Sequence, residues 1–278
     1  EQKLLYFLTG HGERDPEDFE AGSDGFGLAI DALFSDNYAV MPRSLIETPE
    51  IPTLENVERL GLDRRFAAAA VVVAGPTRDL QESESEDLYN YLKGGGRALF
   101  LLDPNPPKSF KDLLALWGVK VNDGLIIDRG SSVSGQPQTP LLHRSQYADN
   151  ASIASITTSL DENFFPGAIG FDYPGLYDLL GYQTSFDPEK DVPPVGIAFS
   201  PLASTTLQGC TTNDLDGDQC DEAGGFGFLL PVMAVTADRP VDGEPDPNTP
   251  NTSMVLFGDS DFATNKYLYF RSNHDFFL

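Results

Sequence analysis

The sequence has 278 residues, 40% hydrophobic and 22% charged, enough to bury a sizeable core and too apolar for global disorder. Eighteen Lys and Arg against forty-three Asp and Glu leave a formal charge of -25. That balance argues against nucleic acid as a partner, because phosphate binding needs basic side chains, and against anionic lipid surfaces for the same reason.

Lys3 to Thr9 is an apolar run that stops at Gly10-His11-Gly12-Glu13, as a buried parallel strand feeding a loop does. A helix is expected over Gly25 to Ser35, a second strand over Tyr38 to Met41, and a third over Phe66 to Ala74, closed by Gly75-Pro76. Asp79 with Glu82 three residues on has the spacing of a helix start, and the apolar face Leu88, Tyr91 and Leu92 runs to the stop at Gly94-Gly95-Gly96. Arg97 to Leu102 is the next strand, ending at Asp103, followed by a helix over Phe110 to Trp117 and a strand over Gly124 to Ile127, ending at Asp128. Strands alternating with helices predict an α/β fold, a doubly wound and mainly parallel sheet.

That rhythm lapses between residues 130 and 250, where Pro, Gly, Ser and Thr abound and only Val195 to Phe199 and Phe228 to Thr236 have strand character. The expected division is therefore 1–129 for the first part of the α/β domain, 130–250 for a loop-rich insertion or subdomain, and 251–278 for a closing strand and helix. The closing strand is Ser253 to Phe257, and a helix is expected from about Asn265. The most apolar stretch, Phe66 to Gly75, is far short of the roughly eighteen residues that span a bilayer. No signal peptide is visible, and the chain starts at Glu1 without a Met and stops at Leu278 within the last expected helix, so it reads as a piece of a longer protein.

Ligands of open parallel sheets bind at the carboxyl ends of the strands. Those ends carry His11, Glu13, Asp103, Asp128, Asp259 and Asp261, which makes them the candidate ligand-binding residues, although turns and helix caps call for the same residue types. No catalytic residue is assigned. Gly258-Asp-Ser-Asp-Phe262 lacks the second glycine of a nucleophile elbow, neither cysteine follows a strand, and His143 and His274 read as surface or packing residues. Gly22-Ser-Asp-Gly25-Phe-Gly27 precedes a helix but lacks the spacing and the Lys of a phosphate loop. A rival reading is a metal-assisted hydrolase using His11, Glu13, Asp103 and Asp261, if these groups converge.

Cys210 and Cys220 lie in one polar loop, an arrangement that suits a local disulfide and an oxidising, extracytoplasmic compartment better than a catalytic pair. Between them and just beyond, Asp214, Asp216, Asp218, Asp221 and Glu222 place oxygen ligands at close spacing. They suit calcium without forming an EF-hand, or else are a solvated acidic loop.

Four stretches carry a family resemblance: Tyr6-Phe-Leu-Thr-Gly-His-Gly-Glu13; Val72-Val-Ala-Gly-Pro76; Tyr91-Leu-Lys-Gly-Gly-Gly-Arg97-Ala-Leu-Phe-Leu-Leu-Asp103; and Val255-Leu-Phe-Gly-Asp-Ser-Asp-Phe262 with Asn273-His-Asp-Phe-Phe277. In order and spacing the chain resembles the auxiliary ABC-transport family that includes the GldG-like gliding-motility proteins, whose soluble part is related to a domain of intraflagellar transport proteins. The resemblance implies a fold akin to class I glutamine amidotransferases and to flavodoxin-like sheets, without the catalytic cysteine, since the strand toward that position ends in Asp103. It implies an extracytoplasmic domain anchored to the inner membrane through helices outside this chain, and an ABC permease and ATPase as partners. The implied role is binding or scaffolding of a saccharide or peptide ligand or of membrane-complex subunits, not catalysis.

Overall fold

The computed structural model describes residues 2–147, 160–173, 197–215, 217, 219–220, 232–239 and 252–278. Chain order within them is β1 (Lys3–Leu8), α1 (Gly27–Ser35), β2 (Tyr38–Arg43), β3 (Ala68–Ala74), α2 (Glu82–Lys93), β4 (Arg97–Leu101), α3 (Lys108–Ala115), β5 (Lys120–Val121), β6 (Leu125–Asp128), β7 (Ser132–Val133) and β8 (Gln136–His143). There follow β9 (Glu162–Phe164), β10 (Phe171–Asp172), β11 (Ala198–Ser204), β12 (Gly209–Thr212), β13 (Val232–Arg239), β14 (Thr252–Phe257) and α4 (Asn273–Phe277). The main sheet runs β2-β1-β3-β4-β14-β13-β10-β5, with β11 paired to β13. Its first five strands are parallel to one another, as the α/β reading expects.

Side chains alternate across this sheet with period two. Leu4, Tyr6, Leu8, Val71, Val73, Phe100, Met254 and Leu256 face one layer, where they meet Leu88 and Leu92 of α2 and Phe110 and Leu114 of α3. Leu5, Phe7, Val72, Ala74, Leu101 and Phe257 face the other, against Ala29, Ile30 and Leu33 of α1 and Phe276 of α4. Burial on both faces explains why the central strands read as nearly continuous apolar runs.

The structure departs from the sequence reading in three places. The strand ending at Asp128 is not in the main sheet: β6 pairs antiparallel with β12, and the Ile126 amide donates to the Ala168 carbonyl. The segment 130–250 supplies a small antiparallel group, β7-β8-β9, and also sends β10, β11 and β13 into the main sheet. No helix starts at Asn265, because its side chain is committed elsewhere. Its amide nitrogen donates to the Asp18 and Glu20 carbonyls, and its oxygen accepts from Leu28 N–H at the start of α1. The chain turns instead, and α4 begins at Asn273. That same cap occupies the helix start that followed Gly22 to Gly27, which leaves no phosphate cradle at that amide.

Cys210 of β12 and Cys220 are joined by a disulfide, with Cα atoms 5.8 Å apart. Reduction, or Cys210→Ser, is expected to lower stability by about 2 to 3 kcal/mol, the cost of releasing so small a ring. Hydrogen exchange should accelerate in residues 209–220 and stay unchanged in β1, β3 and β4, and equal acceleration in both regions would show that the bridge supports more than its own loop.

Candidate functional site

The order of the parallel strands reverses between β1 and β3, the usual place for a ligand crevice. Here the two loops that leave these strands fill it themselves. Arg14 N–H donates to the Ala74 carbonyl, and the amides of Thr77 and Arg78 donate to the His11 carbonyl. His11 is buried beneath them, with Nδ1 3.2 Å from Glu13 Oε1 and Nε2 3.0 Å from Glu84 Oε2. Glu84 Oε2 also accepts from the Gln81 amide, so the acid that starts α2 is Glu84, not Glu82. Asp79 serves α3 instead, accepting from Ser109 N–H. With both ring nitrogens facing carboxylates and the side chain almost fully enclosed, His11 is closed off from a metal or a substrate.

The next carboxyl ends along the sheet, those of β4 and β14, are joined by Arg14. Its Nη2 donates to Asp103 Oδ2 at 2.9 Å and to Asp261 Oδ1 at 2.5 Å, and its Nε donates to Ser260 Oγ at 3.0 Å. Ser260 in turn donates to Asp103 twice, from N–H to Oδ1 and from Oγ to Oδ2, both at 2.7 Å. Asp259 lies fully inside, where Oδ1 accepts from Asp261 N–H at 2.8 Å and Oδ2 has no partner. Beside this group opens a cavity of about 480 Å³, lined among others by Arg14, Asp103, Gln138, Thr139, Leu215 and Asp261. Leu215 belongs to the disulfide loop, which is tied down where Gln138 Nε2 donates to the Gly217 carbonyl.

The candidate residues thus separate into three groups. His11 and Glu13 bond to each other and to Glu84; Asp103, Asp259 and Asp261 gather around Arg14 and Ser260. Asp128 is a buried connector, whose Oδ1 accepts from Gly130 N–H, Ser131 N–H and Thr206 Oγ and whose Oδ2 accepts from Thr206 N–H. The rival hydrolase needs the first two groups merged, and each is instead held by its own separate set of bonds. Of the acidic loop, Asp214 N–H donates to Thr212 Oγ1, while Asp216, Asp218, Asp221 and Glu222 lie outside the described residues. His143 is half exposed, 3.4 Å from Glu162, and His274 stacks on Tyr269, in keeping with surface roles. Arg14 and Glu84 escaped the sequence reading. The signal for Arg14 was a lone cation directly after Gly-His-Gly-Glu in a chain short of cations; that for Glu84 was its place three residues beyond Gln81.

Electrostatics follow the geometry. Burial pushes the Asp259 carboxyl well above its usual range, reinforced by the charges of Asp261 and Asp103. Burial likewise raises Asp261 to about 6, Arg14 opposing and Asp103 adding to the rise. Burial works against the Arg14 charge as well, but Asp103 and Asp261 more than reverse that.

Two outcomes are expected. Gly75 ends β3 with φ +61, and a Cβ there would meet Asp103 Oδ2 and Ser260 Oγ at 2.8 Å and Arg14 Nε at 2.9 Å. Gly75→Ala should therefore cost more than about 1 kcal/mol in urea unfolding, from backbone strain as well as the clash, and a neutral result would show that the Arg14 group yields. Second, a carboxyl raised in the folded state binds its proton more tightly there than in the unfolded chain. Its contribution to stability is full below the ordinary value of 3.8 and lost as pH rises through about 6. In chelator-treated protein, the stability difference between Asp261→Asn and wild type should grow in favour of the variant over that interval, and a pH-independent difference would contradict the assignment.

Comparison with known proteins bears on the whole chain. The mmIFT52 N-terminal domain has the same fold, with a TM-score of 0.60 at 12% identity, covering 99% of this chain and 93% of that one. An exo-beta-1,4-mannosidase, Op5Man5 from Opitutaceae bacterium strain TAV5, aligns at a TM-score of 0.40 and 10% identity, covering 95% of this chain and 32% of that one. No curated protein matches the sequence. The family model described as an ABC-type uncharacterized transport system matches residues 2–278, and the chain belongs to that family of transport auxiliary components.

Proposed function

We propose that this chain is the extracytoplasmic part of a membrane-anchored ABC-transport auxiliary protein and that it binds or scaffolds without catalysing a reaction. The observation that carries the reading is how the strand-end residues are used. Asp103, where the resemblance expects an amidotransferase-like nucleophile, is held by Arg14 and Ser260 through both of its oxygens. What such a rim offers is a cavity of about 480 Å³ with a mixed polar and apolar lining, a size suited to part of a small ligand. Its polar side chains, an Arg, two Asp, a Gln and a Thr, beside Leu and Pro, suit a hydroxylated or amide-bearing molecule such as a saccharide or peptide. The disulfide supports an oxidising compartment. A part in gliding motility belongs to the same reading and rests on the family resemblance alone.

The test uses the full-length protein in its native membrane. Cys210 and Cys220 should resist alkylation until a reductant is added, the domain should be open to protease from the extracytoplasmic side, and the protein should co-purify with a permease and ATPase encoded beside it. Free thiols and a protected domain would overturn the compartment, and loss of the transporter subunits on mild detergent extraction would overturn the partnership. A hydrolase activity abolished by Asp261→Asn would overturn the non-catalytic role.

A further inference from the structure

The Arg14 group is not balanced within itself. Asp103, Asp259 and Asp261 each bring one carboxylate oxygen to within 4.8 Å of the others. Three carboxylates against one guanidinium leave an excess of two negative charges when all are ionised. Placing a carboxylate in a dry interior costs several kcal/mol unless its oxygens are satisfied. Yet Asp259, 1% exposed, has a completely buried Oδ2 with no partner, and two further carboxylates, Asp103 and Asp261, stand beside it. Arg14 does not use up the group. It takes Oδ2 of Asp103 and Oδ1 of Asp261, which leaves for a second cation Oδ2 of Asp261, Oδ2 of Asp259 and the remaining lone pair of Asp103 Oδ1, which accepts only from Ser260 N–H.

We propose that Asp103, Asp259 and Asp261 form a binding site for one divalent cation of the hard, oxygen-seeking class, calcium or manganese, seated beside Arg14 at the ends of β4 and β14. Every ligand atom is a carboxylate oxygen, the donor set these ions prefer and thiolate-seeking metals do not. Calcium accepts oxygens at about 2.3 to 2.6 Å, so ligands on opposite sides of the ion stand roughly 4.6 to 5.2 Å apart. The three oxygens all lie within 4.8 Å of one another, close enough to share one such ion. The remaining positions are filled by water from the adjoining cavity, whose wall includes Asp103 and Asp261. The ion neutralises the excess charge and satisfies Asp259 Oδ2. Held this way, it fixes the loops after β4 and β14 that form one wall of the cavity. This site differs in residues from the acidic loop between Cys210 and Cys220, and it stands or falls apart from the auxiliary role, which is tested by topology and co-purification.

Protein stripped with a chelator is dialysed against manganese or calcium, and bound metal is counted and its affinity measured, with manganese also followed by electron paramagnetic resonance. To remove the acidic loop from the count, the titration is made in an Asp216→Asn, Asp218→Asn background. One equivalent is expected to bind there and to raise the thermal midpoint by mass action. Adding Asp259→Asn, which keeps the shape of the side chain and removes its charge, should weaken that equivalent by roughly tenfold or more. If Asp259→Asn fails to fold, Asp261→Asn takes its place, since that side chain is 30% exposed. Three results would overturn the site: no metal retained in the loop-variant background, affinity unchanged by Asp259→Asn or its substitute, or a thermal midpoint indifferent to both metal and chelator.

Discussion

The contact on which the functional end of the molecule depends is that of Arg14 with Asp103 and Asp261. It joins the loop after the first strand to the ends of β4 and β14, positions 89 and 247 residues away along the chain. A guanidinium suits this place better than an ammonium would, because its planar fork can donate in several directions at once while keeping its charge. Gly75 and Gly258 allow the close approach. A side chain on the first would enter the Arg14 group itself, and one on the second would strike the Ile169 carbonyl at 2.0 Å.

Around this contact the chain solves a problem set by its own composition. With a net charge of -25, carboxylates crowd even the interior, and each one there needs a partner. Three arrangements provide it. His11 sits between Glu13 and Glu84; Asp128 gathers backbone amides and a threonine hydroxyl; and Asp103 shares a guanidinium and a serine. Among the described residues two buried carboxylate oxygens keep no partner, Glu84 Oε1 and Asp259 Oδ2, and Asp259 differs in having two further carboxylates, Asp103 and Asp261, beside it.

The filling of the crevice at the strand-order reversal moves the accessible surface along the sheet. With the loops after β1 and β3 bonded to each other, an open space lies instead beside β4 and β14, between the parallel strands and the disulfide loop. That loop reaches the cavity because β12 pairs with β6, a strand outside the main sheet. The antiparallel additions to the α/β core are thus what gives the cavity its second wall.

The sequence by itself determined the parallel core. Short apolar runs over β1, β3, β4 and β14, separated by helical spacing and stopped by Gly and Asp, are signals that act within a few residues, so local chemistry is enough to read them. The pairing of Cys210 with Cys220 was legible on the same ground of proximity. Tertiary structure alone decided which strand-end acids meet. Asp103, Asp259 and Asp261 stood in the candidate set beside His11, Glu13 and Asp128, but nothing local sorts them into three groups, because the sorting comes from strand order and from Arg14 reaching across it. It decided too that Glu84 and not Glu82 starts α2, that Asn265 caps α1 instead of opening a helix, and that β6 leaves the main sheet. Each of these outcomes is a competition between a local preference and a hydrogen bond to a residue far away in sequence, and the distant bond prevails because the buried polar group has no water to turn to.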